Sequence, residues 1–171
     1  FKRNTIYFFT KKKNINDHKF KKNINLDQLF INYGTDKSSK IHNFSKFYTK
    51  HLSRIRHKRI NILEIGAALG ASAASFVHYF KKSKVFCIDV NLTLVAYESK
   101  NIKFFGLDSS NSKMLNKFIK KISQIFLIKK FNIIIDDGSH LLSDQLFSLN
   151  YFYKYLTKGG YYIIEDYKFA N

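Results

Sequence analysis

Proline and tryptophan are absent from the 171 residues, and cysteine and methionine occur once each. The lone Cys87 excludes a disulfide framework and a cysteine-rich zinc site. Acidic side chains are scarce, 12 against 30 Lys and Arg, for a net charge of +18. Long apolar runs are missing too. The longest, Ile65 to Val77, is 13 residues of mostly Gly, Ala and Ser, short of the roughly 18 that a membrane span needs. No export signal with a small-residue cleavage site follows Phe1. These absences set the expectation of a soluble, cytoplasmic domain, cut from a longer chain or standing alone.

What is present suits a globular protein. Apolar residues make up 45% and charged residues 25%, and the length fits one domain with a sizeable core. The basic residues are 26 Lys and 4 Arg, in a chain rich in Asn, Ile, Phe and Tyr. All of these except Arg have AT-rich codons, so codon bias accounts for much of the charge as a solvated Lys-rich surface. A nucleic-acid or membrane face is the alternative. Residues 1–60 carry +13 and residues 61–171 only +5. In the second part, Glu64, Asp89, Asp108, Asp136, Asp137, Glu165 and Asp166 each lie at or just past the end of an apolar run. Solvated charges would scatter, so this placement points to a site.

Three regions are expected: a basic arm over 1–26, a helical cover segment over 27–58, and a Rossmann-like domain over 59–171. Short β-rich runs occur at 62–65, 85–88, 102–105, 133–135 and 161–164, and read as strands buried on both faces. Helices are expected over 71–80, over 111–128, with an apolar face of Leu115, Phe118, Ile119, Ile122 and Ile125 to Leu127, and from Leu142 to a stop at Gly159, with Leu142, Leu146, Leu149, Phe152, Tyr153 and Leu156 at steps of three and four. The alternation predicts an α/β fold, a Rossmann-like parallel sheet with helices on both faces, with ligands bound beyond the carboxyl ends of the strands.

Glu64, Gly66, Ala67, Gly70 and Ser72 belong to the turn after the first strand. Its spacing is neither G-x-G-x-x-G nor a phosphate loop with G-K-[ST]; E-x-G-x-x-x-G after a strand is a methyltransferase pattern. Asp89, about 20 residues on, suits an acceptor for ribose hydroxyls. Asp108 lies where many methyltransferases contact the adenine amino group; by itself it equally suits a turn or cap before a helix. Asp136 and Asp137 repel one another unless a cation or hydrogen bonds compensate. Glu165 and Asp166 supply a second pair, and their oxygens together suit a hard divalent cation such as Mg²⁺. His140, three residues past Asp137, suits a general base. His18, His51, His57 and His78 are read as surface or packing residues.

The ordered set Tyr33-Gly34-Thr35-Asp36-Lys37, Ile62-Leu63-Glu64-Ile65-Gly66, Asp136-Asp137-Gly138-Ser139-His140 and Gly159 to Asp166 resembles the metal-dependent class I S-adenosylmethionine (SAM) methyltransferases of macrolide sugars. These are the mycinamicin-type enzymes, whose relatives are often labelled cephalosporin-hydroxylase-like. The resemblance spans about residues 30–166. It implies a SAM- and Mg²⁺-dependent O-methyltransferase acting on a sugar or glycoside hydroxyl, and leaves room for a homo-oligomer. Asp137, Glu165 and Asp166 would hold the metal, His140 would be the base, and Asp136 would support the SAM side. Tyr33, Thr35, Asp36, Lys37 and His42, with Tyr48, would form a cover. Phe76 stands where a Trp is common, and Gly106-Leu107-Asp108 replaces an expected Gly-Asp-Gln. The family fold continues past the fifth strand, so its C-terminal strands are expected to be missing here. The alternatives are a basic, non-catalytic module binding nucleic acid or another anionic polymer, and an RNA methyltransferase. Scarce Arg weighs against the first, and the Asp136-Asp137-Gly138-Ser139-His140 cluster weighs against the second.

Overall fold

The computed structural model describes residues 12–167. Residues 1–11 of the expected basic arm lie outside the described residues. The rest of that segment packs on the domain. A two-residue strand, β1 (Lys13–Asn14), pairs in parallel with β4 (Tyr97–Glu98). Ile15 is fully buried, and the His18 ring stacks on Tyr33.

The cover segment forms α1 (Leu26–Tyr33) and α2 (Phe44–Leu52). Asn25 and Gln28 close a reciprocal capping box at the start of α1, and Gly34 ends the helix with a φ of 75°. The main sheet contains β2 (Ile60–Ile65), β3 (Ser83–Asp89), β5 (Ile102–Gly106), β6 (Phe131–Asp136) and β7 (Leu156–Ile164). All neighbours are parallel, in the order β5-β3-β2-β6-β7.

The two faces carry separate cores. Ile62, Val85, Cys87 and Ile133 pack against α1, α2 and α3 (Ala71–Tyr79). Leu63, Phe86, Ile88 and Ile134 pack against α4 (Ser112–Phe126) and α5 (Leu142–Phe152). Period-two side-chain alternation thus feeds both layers, which is why the strands read as continuously apolar. Successive crossovers run from β2 outward in one direction and then, through β6, in the other. The loops after β2 and β6 consequently diverge at a topological switch point, where such folds bind ligands.

Three details depart from the sequence expectation. In α4, Leu115, Phe118 and Ile122 are buried, whereas Ile125 and Leu127 are exposed; the helix ends at Leu127 with a φ of 56°. In α5 the buried positions are Gln145, Ser148 and Phe152, and Leu142 and Leu146 face outward. Gly159 does not stop that helix, which ends seven residues earlier at Phe152. Gly159 instead lies in β7, with a φ of 71°, where the pairing with β6 slips register. Among the described residues no helix is long and apolar enough to cross a membrane.

Candidate active site

The carboxyl ends of β2, β3, β5 and β6 are laced together. Gly66 donates its N–H to Ile88, Asp137 to Ile65, and Leu107 to Asp89, each at 2.9 Å. Glu165, just past β7, donates to the Asp136 carbonyl at the same distance. Gly66 has a φ of 82°, and a Cβ there would stand 2.0 Å from the Asp137 carbonyl oxygen. The glycine therefore permits the close crossing of the two loops at the switch point.

Above these strand ends lies a cleft of about 440 Å³, lined by Gly66, Asp89, Asp108, Asp137, His140 and Asp166 among others. A second lobe of about 230 Å³ is lined by Thr35, Lys37, Ala67 and Ser72. Asp36, Gly66, Ala68 and Asp137 line both lobes, so the two are continuous around the switch point.

Asp89 braces the glycine loop. Its Oδ2 accepts the N–H groups of Ala67 and Ala68 at 2.8 and 2.9 Å, and its Oδ1 accepts that of Asn91 at 2.8 Å. Gly70 starts α3 with a φ of 74°. Glu64 lies beneath the loop rather than in the cleft. It is fully buried, and accepts hydrogen bonds from the Ser72 hydroxyl and, at 3.6 Å, from the Cys87 thiol. Burial pushes its pKa up to about 7, against the opposing pull of Lys37. Asp108 forms a turn with Ser110, whose hydroxyl and N–H hold the carboxyl below its usual range.

Asp136 is buried below the cleft. Burial raises its pKa to about 6, and the Tyr162 hydroxyl donates to it at 3.4 Å. Asp137 turns the other way, into both lobes. One ligand atom each from Asp137, His140 and Asp166 lie within 4.8 Å of one another. His140 Nε2 stands 3.9 Å from Asp137 Oδ1, and its buried Nδ1 has no hydrogen-bond partner. His140 and Asp166 both have left-handed backbones, with φ values of 58° and 51°. Such strain outside glycine costs about 1–3 kcal/mol at each position and collects at functional sites.

Glu165 stands apart from that trio. Its Oε1 accepts the Tyr48 hydroxyl and its Oε2 accepts the Lys37 ammonium. The same ammonium donates to Asp137 Oδ2. Of the expected cover residues, Asp36 overhangs both lobes, whereas Tyr33 and His42 line neither. Tyr33 is buried, with its hydroxyl 3.1 Å from His18 Nδ1, and His42 stacks on Phe44. The central placement of Lys37 was not legible in the sequence, because its partners lie 100 and 128 residues away. Asp144 was also missed; it lines the cleft and accepts the Ser139 hydroxyl at 2.6 Å.

No family model matches the chain. It is 30% identical over 149 residues to L-olivosyl-oleandolide 3-O-methyltransferase of Streptomyces antibioticus, covering 82% of this chain and 36% of that protein. It is 24% identical over 148 residues to mycinamicin VI 2''-O-methyltransferase of Micromonospora griseorubida, covering 82% and 35%. The chain thus spans about a third of the length of the curated relatives it matches. The solved structure of MycE methyltransferase, in complex with Mg, SAH and mycinamycin VI, superposes with a TM-score of 0.74 at 24% identity, covering 84% of this chain and 39% of MycE. A ribosomal RNA methyltransferase from Plasmodium falciparum shares the fold at a TM-score of 0.55 and 23% identity, covering 75% of this chain and 76% of that one. With its parallel sheet in the order β5-β3-β2-β6-β7, the chain has the class I methyltransferase fold, and over most of its own length it is similar to the sugar O-methyltransferases named above.

Proposed function

We propose that the protein is a SAM-dependent O-methyltransferase that uses Mg²⁺ and transfers a methyl group to a hydroxyl of a sugar or glycosylated small molecule. The observation that carries this reading is the Asp137–His140–Asp166 trio opening on the same cleft as the glycine loop and Asp89. By name, the relatives methylate L-olivosyl-oleandolide, a rhamnosyl-tetracenomycin C and mycinamicin VI.

The residues fit both groups. The larger lobe combines apolar Ile88, Val90 and Leu107 with the carboxylates of Asp89 and Asp108, which suits an adenosine. The smaller lobe, with Thr35 and Ser72, suits the amino-acid end. Asp137 and Asp166 offer hard oxygen ligands to a divalent cation. SAM supplies a methyl already activated on a sulfonium, and a bound Mg²⁺ lowers the pKa of an acceptor hydroxyl.

The chain's own residues do the rest. Asp89 holds the loop N–H groups of Ala67 and Ala68 in place. Asp36 lines the junction of the two lobes. His140 Nδ1 is covered, so Nε2 is the atom that takes the acceptor's proton. Asp137 Oδ1, 3.9 Å away, stabilises the imidazolium that results. Much of the rate comes from orientation of the hydroxyl against the methyl.

Calorimetric titration of S-adenosylhomocysteine into the folded chain, with and without Mg²⁺, tests the cofactor sites. Micromolar binding that responds to Mg²⁺ is expected, and a folded chain that binds neither refutes the reading. His140→Ala is expected to lose methyl transfer while retaining S-adenosylhomocysteine. Normal turnover in that variant removes His140 as the base.

A further inference from the structure

Lys37 is the most buried lysine of the described chain, 2% exposed. It follows α1 in the turn at residues 34–37, and its ammonium stands between Asp137 Oδ2 and Glu165 Oε2. Burial opposes its charge. Its direct pairing with the Glu165 and Asp137 carboxylates offsets the cost of burying that charge. One cation bridging two carboxylates from neighbouring strand ends is the arrangement a metal ion would give. Here the chain supplies the cation itself.

The sharing of oxygens is specific. Both Glu165 oxygens are engaged, one by Tyr48 and one by Lys37. Asp137 is divided: Oδ2 goes to Lys37, and Oδ1 is directed toward His140 and the trio that opens on the cleft. An ammonium and a divalent cation at this place draw on the same Asp137 charge and repel one another.

Building on the metal reading above, we propose that Lys37 is an internal competitor for the divalent cation. It neutralises Asp137 and Glu165 while the metal is away, and it weakens the metal's hold when the metal is bound. The cation is therefore held exchangeably. A purely structural lysine that only orients Asp137 would act with the opposite sign, because its loss would weaken metal binding.

Mn²⁺ affinity, read from the electron paramagnetic resonance of the free ion with no methyl acceptor present, separates the two. Lys37→Met is expected to bind Mn²⁺ about tenfold more tightly than wild type, and Lys37→Arg, which keeps the charge, to stay within about threefold of it. Thermal unfolding in chelator is expected to show Lys37→Met destabilised, with a larger recovery on Mn²⁺ addition than wild type shows. Tightening of less than about threefold, or equal tightening by Lys37→Arg, overturns the proposal. If Lys37→Met does not fold, Lys37→Met/Glu165→Gln removes both buried charges together and is compared with Glu165→Gln alone. The double variant is again expected to bind more tightly, and equal or weaker binding overturns the proposal. Wild type that binds Mn²⁺ without the tightening refutes the competitor alone. Absence of binding in wild type and every variant refutes the metal reading and the competitor together.

Discussion

Replacing Gly66 with alanine puts a methyl group where the loops after β2 and β6 cross, 2.0 Å from the Asp137 carbonyl oxygen, 2.6 Å from its carbon and 2.9 Å from the Gly138 Cα. All three neighbours are backbone, so no rotamer relieves the clash. Gly34 makes the control. Its φ of 75° is close to the 82° of Gly66, but a Cβ there meets nothing within 4 Å. Gly34→Ala therefore carries only the left-handed backbone cost, about 1–2 kcal/mol. Gly66→Ala adds displacement of the strand ends, which strains the Gly66–Ile88 and Asp137–Ile65 hydrogen bonds, each worth about 1 kcal/mol. The total is about 3–4 kcal/mol, a large share of a typical domain's stability of about 5–15 kcal/mol. Urea unfolding of both variants against wild type measures the difference. Calorimetry of the surviving folded Gly66→Ala protein is also expected to show weakened S-adenosylhomocysteine binding. If Gly66→Ala unfolds within about 1 kcal/mol of Gly34→Ala, the close crossing is not a constraint and the reasoning fails.

Burial raises the Glu64 carboxyl from 4.5 to about 7 in the folded state, so the native protein holds that proton more tightly than the unfolded chain does. Its contribution is complete below about pH 4.5 and is lost as pH rises through about 7, a drop of up to about 3 kcal/mol between the limits. Urea unfolding at pH 5 and pH 8 is expected to show a smaller drop for Glu64→Gln than for wild type, and an undiminished drop refutes the assignment. Asp89→Asn removes the charge that anchors the Ala67 and Ala68 N–H groups. A stability loss of about 1–2 kcal/mol is expected by thermal or urea unfolding, with weaker calorimetric binding of S-adenosylhomocysteine; unchanged binding removes Asp89 from the cofactor site. Leu127 is 81% exposed in a left-handed backbone. Leu127→Gly is expected to raise the urea midpoint by the equivalent of about 1 kcal/mol, and a lowered midpoint contradicts the cap assignment.

The five parallel strands were legible because each is a short run rich in β-branched and aromatic residues that stops at a glycine or an acid, as Ile62 to Gly66 and Ile133 to Asp137 do. The start of α4 was expected at residue 111, and the structure makes Asn111 its cap, with a side chain that accepts the Met114 N–H. The inward face of α5 was not. Leucines at helical spacing suggested one buried stripe, but the helix is rotated so that Gln145 reaches the Glu165 carbonyl at 3.3 Å and Leu146 is left outside. Packing against β6 and β7 overrides the local pattern there.

At the site the division is similar. The sequence by itself determined that Asp89, Asp108, Asp137, His140 and Asp166 would gather beyond the strand ends, because a parallel sheet brings all its carboxyl ends to one edge. Only the tertiary structure decided which way each carboxylate turns. Asp136 and Asp137 are adjacent, yet one is buried beneath the cleft and the other opens into it. Glu165 and Asp166 divide in the same way, one toward Lys37 and Tyr48 and the other toward His140. The physical reason is that successive side chains at a strand end leave in opposite directions, and which direction meets a cation depends on a lysine contributed from more than 100 residues away in the sequence.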